Sequence, residues 1–95
     1  MARQRTVVGA NGDGKNALTV ARTLRDEGHE VVLVGGGQTA EQLVRAALAE
    51  DAAELVVADD DVDLVELESV RRRLGADELQ VTARGVTDLT RQDPR

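Results

Sequence analysis

The sequence predicts one α/β domain in which a parallel sheet carries helices on both faces. Three strand–loop–helix units follow one another without a long linker, and a fourth strand is predicted at residues 79–83. The second strand, at residues 31–34, is apolar throughout, as expected for a strand that is covered on both faces. This alternation implies right-handed crossovers and the flavodoxin-like (Rossmann-like) strand order 2-1-3-4.

The first unit consists of a strand at residues 6–8, a glycine-rich loop and a helix at about residues 16–27. Apolar residues recur in this helix at the spacing of one buried face. They are Ala17, Val20, Ala21 and Leu24. Gly28 follows at the position where glycine commonly ends a helix.

The second unit turns at three consecutive glycines, residues 35–37, and enters its helix after Thr39. Thr39 and Gln42 have the spacing of a capping box, in which each side chain binds the backbone N–H of the other residue. The predicted buried stripe of this helix consists of Leu43, Val44, Ala47 and Leu48.

The third unit has a strand at residues 55–58, a run of three aspartates and a helix that ends near Leu74. Asp60 or Asp61 is expected to cap this helix, since aspartate is a favoured N-cap residue. Arginines at residues 71–73 suit the negative end of the helix dipole. The inward-facing residues are predicted to be Leu67, Val70 and Leu74.

Composition limits the size and stability of this domain. The chain has 95 residues and no aromatic side chain, so its core is built from Val, Leu and Ala, and we expect modest stability. Residues 1–95 form one predicted domain that is ordered from about residue 5 to residue 86. We expect the polar tail at residues 87–95 to be flexible.

Charge and hydropathy exclude several classes of partner. The net charge is −6, from 18 acidic and 12 basic residues, which repels phosphate backbones and argues against nucleic acid. The absence of cysteine excludes disulfides and thiolate metal sites. We find no signal peptide and no apolar run of about 20 residues, so we expect a cytoplasmic protein that does not cross a membrane.

The loop after the first strand is the first candidate binding site. It lies at the carboxyl end of a strand and the amino end of a helix, where open α/β sheets hold their ligands. The loop contains Gly9, Gly12 and Gly14, together with one acid and one base, Asp13 and Lys15. We expect the crevice to lie between this loop and the loop that follows the third strand.

The second unit and its surroundings carry a family resemblance. Residues 24–39 read LRDEGHEVVLVGGGQT, residues 41–47 read EQLVRAA, and residues 50–52 read EDA. Together they are similar to the cobalamin (B12)-binding domain of methylmalonyl-CoA mutase and related mutases. The likeness covers about residues 5–86, and the Gln-Thr pair after the glycine turn is its most specific part.

In the family that this chain resembles, the first loop carries an Asp-x-His-x-x-Gly motif whose histidine is the lower axial ligand of cobalt. The resemblance maps the Asp to Asp13, the next residue to Gly14 and the histidine to Lys15, while Leu18 stands at the motif's glycine. A lysine ammonium offers no lone pair at neutral pH, so we do not expect a protein imidazole on cobalt. His29, the sole histidine, lies at the opposite end of the predicted sheet, and we expect it to be solvated.

Two other segments of the family make room for the nucleotide tail of the cofactor. Asp59, Asp60 and Asp61 stand where the family has Ser-x-Leu, and Arg84 with Gly85 stands where it has Gly-Gly. The resemblance therefore implies cobalamin binding that is weak or lost. The residues that it maps onto the cofactor site are Asp13, Gly14, Lys15, Asp59 and Gly85.

The resemblance implies a module that carries a corrinoid to a separate catalytic mutase subunit. The corrinoid would perform the radical chemistry and this chain would only position it, so no residue is predicted to be catalytic or to bind a metal. The alternative is a relative that kept the fold, binds no corrinoid and acts as an interaction or regulatory module.

Two less favoured functions use the same loops. Gly9, Gly14 and Lys15 match the start of a phosphate-binding P-loop, although Asn16 replaces the Ser or Thr that meets Mg²⁺. The acid of this loop, together with the aspartates at residues 59–61, has the oxygen ligands of a receiver-like magnesium site.

The fourth strand forms an open edge of the predicted sheet, since nothing apolar enough for a fifth strand and helix follows Gly85. Exposed edges are normally covered in folded proteins. We therefore predict a homodimer that pairs through the edge of the fourth strand.

Overall fold

The computed structural model describes residues 5–85, which form four strands and three helices in strict alternation. The strands are β1 (Arg5–Gly9), β2 (Glu30–Gly35), β3 (Glu54–Val57) and β4 (Gln80–Ala83). The helices are α1 (Ala17–Asp26), α2 (Ala40–Ala49) and α3 (Leu64–Arg73). The tail at residues 87–95, which the sequence predicts to be flexible, lies outside the described residues, and so does Val86.

The four strands form one parallel sheet in the order β2-β1-β3-β4, which confirms the predicted flavodoxin-like topology. β1 lies in the centre and pairs with both neighbours, so that Val7 is opposite Val32 of β2 and Leu55 of β3. Parallel strands need a crossover connection, and each of the three helices supplies one. The carboxyl ends of all four strands consequently lie at the same edge of the sheet.

Two apolar clusters hold the helices against the sheet, because side chains alternate between the faces along each strand. The cluster under α2 and α3 is the larger one, and the cluster under α1 is the smaller one. Buried members of the larger cluster are Val7, Ala40, Leu43, Val44, Ala47, Leu55, Val57, Leu67, Val70, Ala76 and Leu79. Those of the smaller cluster are Val8, Ala17, Val20, Ala21, Leu24, Val56 and Ala58.

The capping box predicted for α2 is confirmed. The Gln42 N–H donates to Thr39 Oγ1 at 3.0 Å, and the Thr39 N–H donates to Gln42 Oε1 at 2.8 Å. Two N–H groups at the start of the helix are thereby satisfied, which fixes the point where the chain leaves the glycine turn and enters α2.

The prediction that Asp60 or Asp61 caps α3 is wrong. Asp63 caps this helix, since its Oδ1 accepts a hydrogen bond from the Glu66 N–H at 3.0 Å. The helix therefore begins at Leu64, two to three residues later than a cap at Asp60 or Asp61 would place it. Residues 58–62 cross the edge of the sheet before α3 begins.

All three helices end in a turn in which two backbone N–H groups bond back into the last turn of the helix. The residue with positive φ in this turn is Gly28 after α1 and Gly75 after α3. After α2 it is Asp51, with a φ of 54°, the one non-glycine residue with positive φ among residues 5–85. An L-residue in this conformation is strained, so α2 ends less favourably than the other two helices.

Leu48 does not belong to the buried stripe of α2, contrary to the prediction. Its side chain is 45% exposed, and Ala40 takes the fourth buried position instead. At 3.6 residues per turn, Leu48 lies about 90° around the helix from the centre of the buried stripe. Leu74, which was predicted to face inward, is half-buried at the end of α3.

The α1-side face of β4 is polar. Gln80 lies opposite Glu54 in the β3–β4 register, and both Gln80 and Thr82 are exposed on this face. Thr82 Oγ1 donates to Glu54 Oε2 at 2.8 Å, and the guanidinium of Arg84 lies 3.9 Å from the carboxylate of Glu27 at the end of α1. α1 packs on β1 and β2 and leaves this face of β4 open. The polar groups on it are therefore compatible with contact with solvent.

Replacing Leu43 by Ala should lower the free energy of unfolding by about 2–5 kcal/mol, because its side chain is fully buried and the change leaves a cavity. Leu48→Ala, in the same helix, should cost less than about 1 kcal/mol, since that side chain is half exposed. Urea denaturation followed by circular dichroism measures both values. Equal losses would mean that Leu48 belongs to the core.

Glu41 links α2 to α3 and should make stability depend on pH. Hydrogen bonds from Arg45 at 2.8 Å and Arg73 at 3.4 Å hold the pKa of Glu41 below its ordinary value of 4.5. Because the folded-state pKa is the lower one, this stabilisation is present above about pH 4.5 and is lost as the pH falls through the folded-state pKa. Glu41→Gln should therefore melt at a lower temperature than the parent protein near neutral pH and at the same temperature at about pH 2. A difference that persists in acid would contradict this account.

Candidate functional site

The five residues that the resemblance maps onto a cofactor site lie at one edge of the sheet, which we call the carboxyl edge. Asp13, Gly14 and Lys15 belong to the loop between β1 and α1. Asp59 follows β3, and Gly85 follows β4. The structure thus brings together the loops that the sequence predicts to form a crevice.

The carboxylate of Asp59 binds the backbone of the glycine-rich loop. Asp59 Oδ2 accepts from the Asn11 N–H at 2.7 Å, and Asp59 Oδ1 accepts from the Gly12 N–H at 3.4 Å. The shorter distance is typical of a hydrogen bond to a charged acceptor. Because β1 and β3 are neighbours, their loops meet at this point. A carboxylate of the chain itself therefore lies where glycine-rich loops of this type hold an anionic ligand.

The loops that follow β1 and β2 are packed against each other. The Gly37 N–H donates to the Gly12 carbonyl at 2.6 Å, and Asn11 Nδ2 donates to the Gln38 carbonyl at 2.7 Å. A Cβ atom at Gly36 would lie 2.5 Å from the backbone of the β1–α1 loop, closer than real Cβ atoms come to a neighbouring atom. The contact between the two loops therefore requires a residue without a side chain at Gly36.

Gly85 packs on the loop that follows β3. The residue is buried, and a Cβ atom there would lie 2.9 Å from the Cα of Asp60 and would collide with its carboxyl group. In the family that this chain resembles, small residues after the fourth strand make room for the nucleotide tail of the cofactor. Here Asp60 lies against the glycine that the resemblance maps onto this segment.

Asp13 and Lys15 are joined to each other within their own loop. The Lys15 N–H donates to Asp13 Oδ1 at 3.0 Å, and both side chains are exposed. His29 lies at the amino end of β2, at the opposite edge of the sheet. The sequence predicts that His29 is solvated. Its side chain is in fact half-buried, with Nδ1 3.4 Å from Thr6 Oγ1.

The two less favoured functions find little support in this geometry. Among residues 5–85, no group of three or more acidic, histidine or cysteine side chains is arranged to hold a metal ion. Asp59 is directed at the loop backbone and Asp60 packs on Gly85, so the aspartates after β3 do not converge as magnesium ligands. A P-loop needs free amides for phosphate, and the amides of Asn11 and Gly12 are bonded to Asp59.

The residues at the carboxyl edge do not fit a corrinoid held in the way that the resemblance implies. Lys15 stands at the position that the resemblance maps onto the axial histidine, the loop amides bond to Asp59, and Asp60 packs on Gly85. The one buried side-chain polar atom without a hydrogen-bond partner among residues 5–85 is Arg5 Nε, at the opposite edge of the sheet.

Two hollows lie away from the carboxyl edge. One, of about 400 Å³, lies between α3 and β4. The other, of about 550 Å³, lies where α2 and α3 end, and both are lined by Asp77, Glu78 and Leu79. Sequence reasoning missed both hollows. The signals that point to the second hollow are Leu48, an apolar residue beyond the buried stripe of α2, and Asp51, a non-glycine residue where the helix stops; neither lines the first hollow.

Comparison with known proteins adds no family assignment. The chain matches no protein-family model, and no curated protein matches it significantly. Within residues 5–85, no helix combines the length and apolar character needed to cross a membrane. The fold and the contacts of the carboxyl edge are therefore the basis for a functional argument.

Removing the Asp59 carboxylate should loosen the loops. Asp59→Ala loses two hydrogen bonds to backbone N–H groups, and we expect the free energy of unfolding to fall by about 1–3 kcal/mol. Asp61→Ala is the matched control, since Asp61 is an exposed aspartate of the same loop, and should change stability by less than about 0.5 kcal/mol. Denaturant titration measures both variants, and equal effects would show that Asp59 does not hold the loop.

Proposed function

We propose that this chain is a non-catalytic interaction module, related to the B12-binding domains, that retains their fold and has closed the corrinoid crevice with its own side chains. The observation that carries the proposal is the bond from the amides of Asn11 and Gly12 to the Asp59 carboxylate. A ligand that needs these amides has to displace an anion that is already part of the fold. Displacement costs more than entry into an open site, because the hydrogen bonds of Asp59 must first be broken.

Two further features support the loss of corrinoid binding. Lys15 stands where the resemblance places the axial histidine, and Asp60 packs on Gly85 after β4. The first feature affects the cobalt ligand, and the second affects the segment where the family makes room for the nucleotide tail. Two independent departures from the family pattern fit a function without the cofactor better than a weakened version of the old one.

The proposal assigns no turnover to this chain. It contains no cysteine, and its single histidine lies at the opposite edge of the sheet from the crevice. The aspartates at the carboxyl edge bind backbone N–H groups or pack on glycine instead of facing one another. Such contacts hold loops in place, which suits a domain whose role is to be bound by other proteins.

A corrinoid carrier for a separate mutase subunit is the second candidate, and the similarity over residues 24–39 favours it. All five mapped residues lie at one edge of the sheet, which is also compatible with a corrinoid carrier. Binding would require Asp59 to leave the loop amides, and the cofactor would keep its own base on cobalt because no imidazole lies at this edge among the described residues.

Titration with hydroxocobalamin and with adenosylcobalamin separates the two candidates. We expect no change in the visible spectrum and no calorimetric heat up to about 1 mM cofactor, a concentration that would detect even weak binding. Saturable binding by the parent protein would overturn the proposal. The companion variant Lys15→His should also show no spectral change and no heat, because the crevice is closed by other residues. An imidazole-bound spectrum from that variant would show that only the axial ligand was lost.

We further propose that a second copy of the chain pairs with the outer edge of β4, which no other strand of residues 5–85 covers. The N–H groups of Gln80 and Arg84 bond to β3 carbonyls, so the intervening N–H groups of Val81 and Ala83 point away from β3. In two copies related by a twofold axis, antiparallel pairing of β4 with β4 gives the outward-pointing backbone groups of both strands hydrogen-bond partners.

Sedimentation at increasing protein concentration tests this pairing. We expect a dimer for the parent protein and a monomer for Ala83→Pro, which removes an outward N–H without breaking a bond to β3. Ala83→Val keeps the N–H and should keep the dimer. A parent protein that stays monomeric at high concentration, or an Ala83→Pro variant that is folded and still dimeric, would contradict the proposed interface.

A further inference from the structure

The hollow where α2 and α3 end lies at the opposite end of the sheet from the crevice and has an apolar floor. We call it the basal hollow; it has a volume of about 550 Å³. Its apolar lining consists of Leu48, Ala52, Ala53, Ala76 and Leu79. A volume of this size is within the range of sites that hold a ligand or a few side chains of a partner.

Leu48 shows that the apolar surface of α2 continues into the basal hollow. The side chain is 45% exposed, whereas Ala76 and Leu79 on the same lining are buried. An isolated exposed leucine is common on protein surfaces. Leu48 differs because it borders a concave site whose lining also includes apolar residues, so a chain laid over the hollow would bury the exposed part of Leu48.

The rim of the basal hollow is acidic. Asp51, Asp77 and Glu78 line it and are all exposed, and no residue of the described chain forms a salt bridge with any of them. Asp51 follows the carboxyl end of α2, where the helix dipole disfavours negative charge. The rim is therefore a negative surface, which Arg71 offsets in part through its charge interaction with Asp77.

The basic residue next to this rim is already engaged. Arg71 donates to Glu68 Oε1 at 2.7 Å and to the backbone carbonyls of Ala76 and Asp77 at 3.2 and 2.8 Å. These bonds order the turn between α3 and β4 and hold the guanidinium on backbone oxygens. None of the three rim carboxylates forms a salt bridge within residues 5–85, so a cation of a partner can approach them.

We propose that the basal hollow docks a basic segment of a partner protein. The aliphatic stem of an arginine or lysine packs on Leu48 and Leu79, and its charged head meets Asp51, Asp77 and Glu78. Charge complementarity selects this occupant over a second copy of the chain, which would bring the same acids face to face. The site does not depend on whether the carboxyl edge holds a ligand.

The first experiment uses a short blocked peptide of alternating arginine and leucine with a fluorescent label, read by anisotropy because the chain has no aromatic residue of its own. The control peptide has citrulline, the neutral analogue, in place of arginine. We expect the arginine peptide to bind at least about tenfold more tightly. Backbone amide shifts on binding should be confined to residues 48–53 and 75–79. No binding, equal binding of both peptides, or shifts centred on the carboxyl edge or on β4 would overturn the proposal.

Charge-neutralising variants provide the second experiment. Replacing the rim acids together, by Asp51→Asn, Asp77→Asn and Glu78→Gln, should weaken the arginine peptide at least about tenfold. The matched control, Asp26→Asn, Asp61→Asn and Glu66→Gln, changes net charge equally at exposed acids away from the hollow and should weaken it less than about threefold. Both sets are surface substitutions, and thermal melting confirms that they fold. Equal weakening by the two sets would mean that only net charge matters and that the basal hollow is not the site.

Discussion

The closed state of the carboxyl edge depends on one interaction, the bond between the Asp59 carboxylate and the amides of Asn11 and Gly12. It joins the end of β3 to the loop after β1, and that loop in turn packs on the glycine turn after β2. The strand order makes this possible, because β1 lies between β2 and β3. Asp59 therefore joins the loop after β3 to a pair of loops that are already packed together at the edge where parallel α/β sheets hold ligands.

In this link a carboxylate of the protein itself occupies an anion-binding site. Backbone N–H groups of a glycine-rich loop attract negative charge, and an ionised carboxylate satisfies them as a phosphate would. The internal carboxylate loses little translational freedom on binding, whereas an external ligand loses much more. The same glycines that open a loop to a cofactor in related folds serve here to let two loops approach each other, as Gly36 shows.

The sequence was sufficient to predict the topology but not the contacts of the site. Apolar runs and helical periodicity are local signals, and they correctly located every strand, the three helices apart from the start of α3, and the Thr39–Gln42 cap. The bond between Asn11 and Asp59 joins residues 48 positions apart, and no local pattern encodes it. The cap of α3 was wrong because four aspartates lie between residues 59 and 63, and composition alone does not decide which of them caps the helix. Leu48 was misplaced because the stripe of α2 is narrower than its run of apolar residues.

The most direct test of the account is a scalar coupling measured across the hydrogen bond from the Asn11 amide nitrogen to the Asp59 carboxyl carbon, in an isotope-labelled sample. At a donor–acceptor distance of 2.7 Å the account predicts a resolved correlation. The Ala58 N–H to Gly9 carbonyl bond, at 2.8 Å, gives the reference signal in the same spectrum. If the reference correlation is present and the Asn11–Asp59 correlation is absent, the loop amides are free in solution and the crevice is not closed by Asp59.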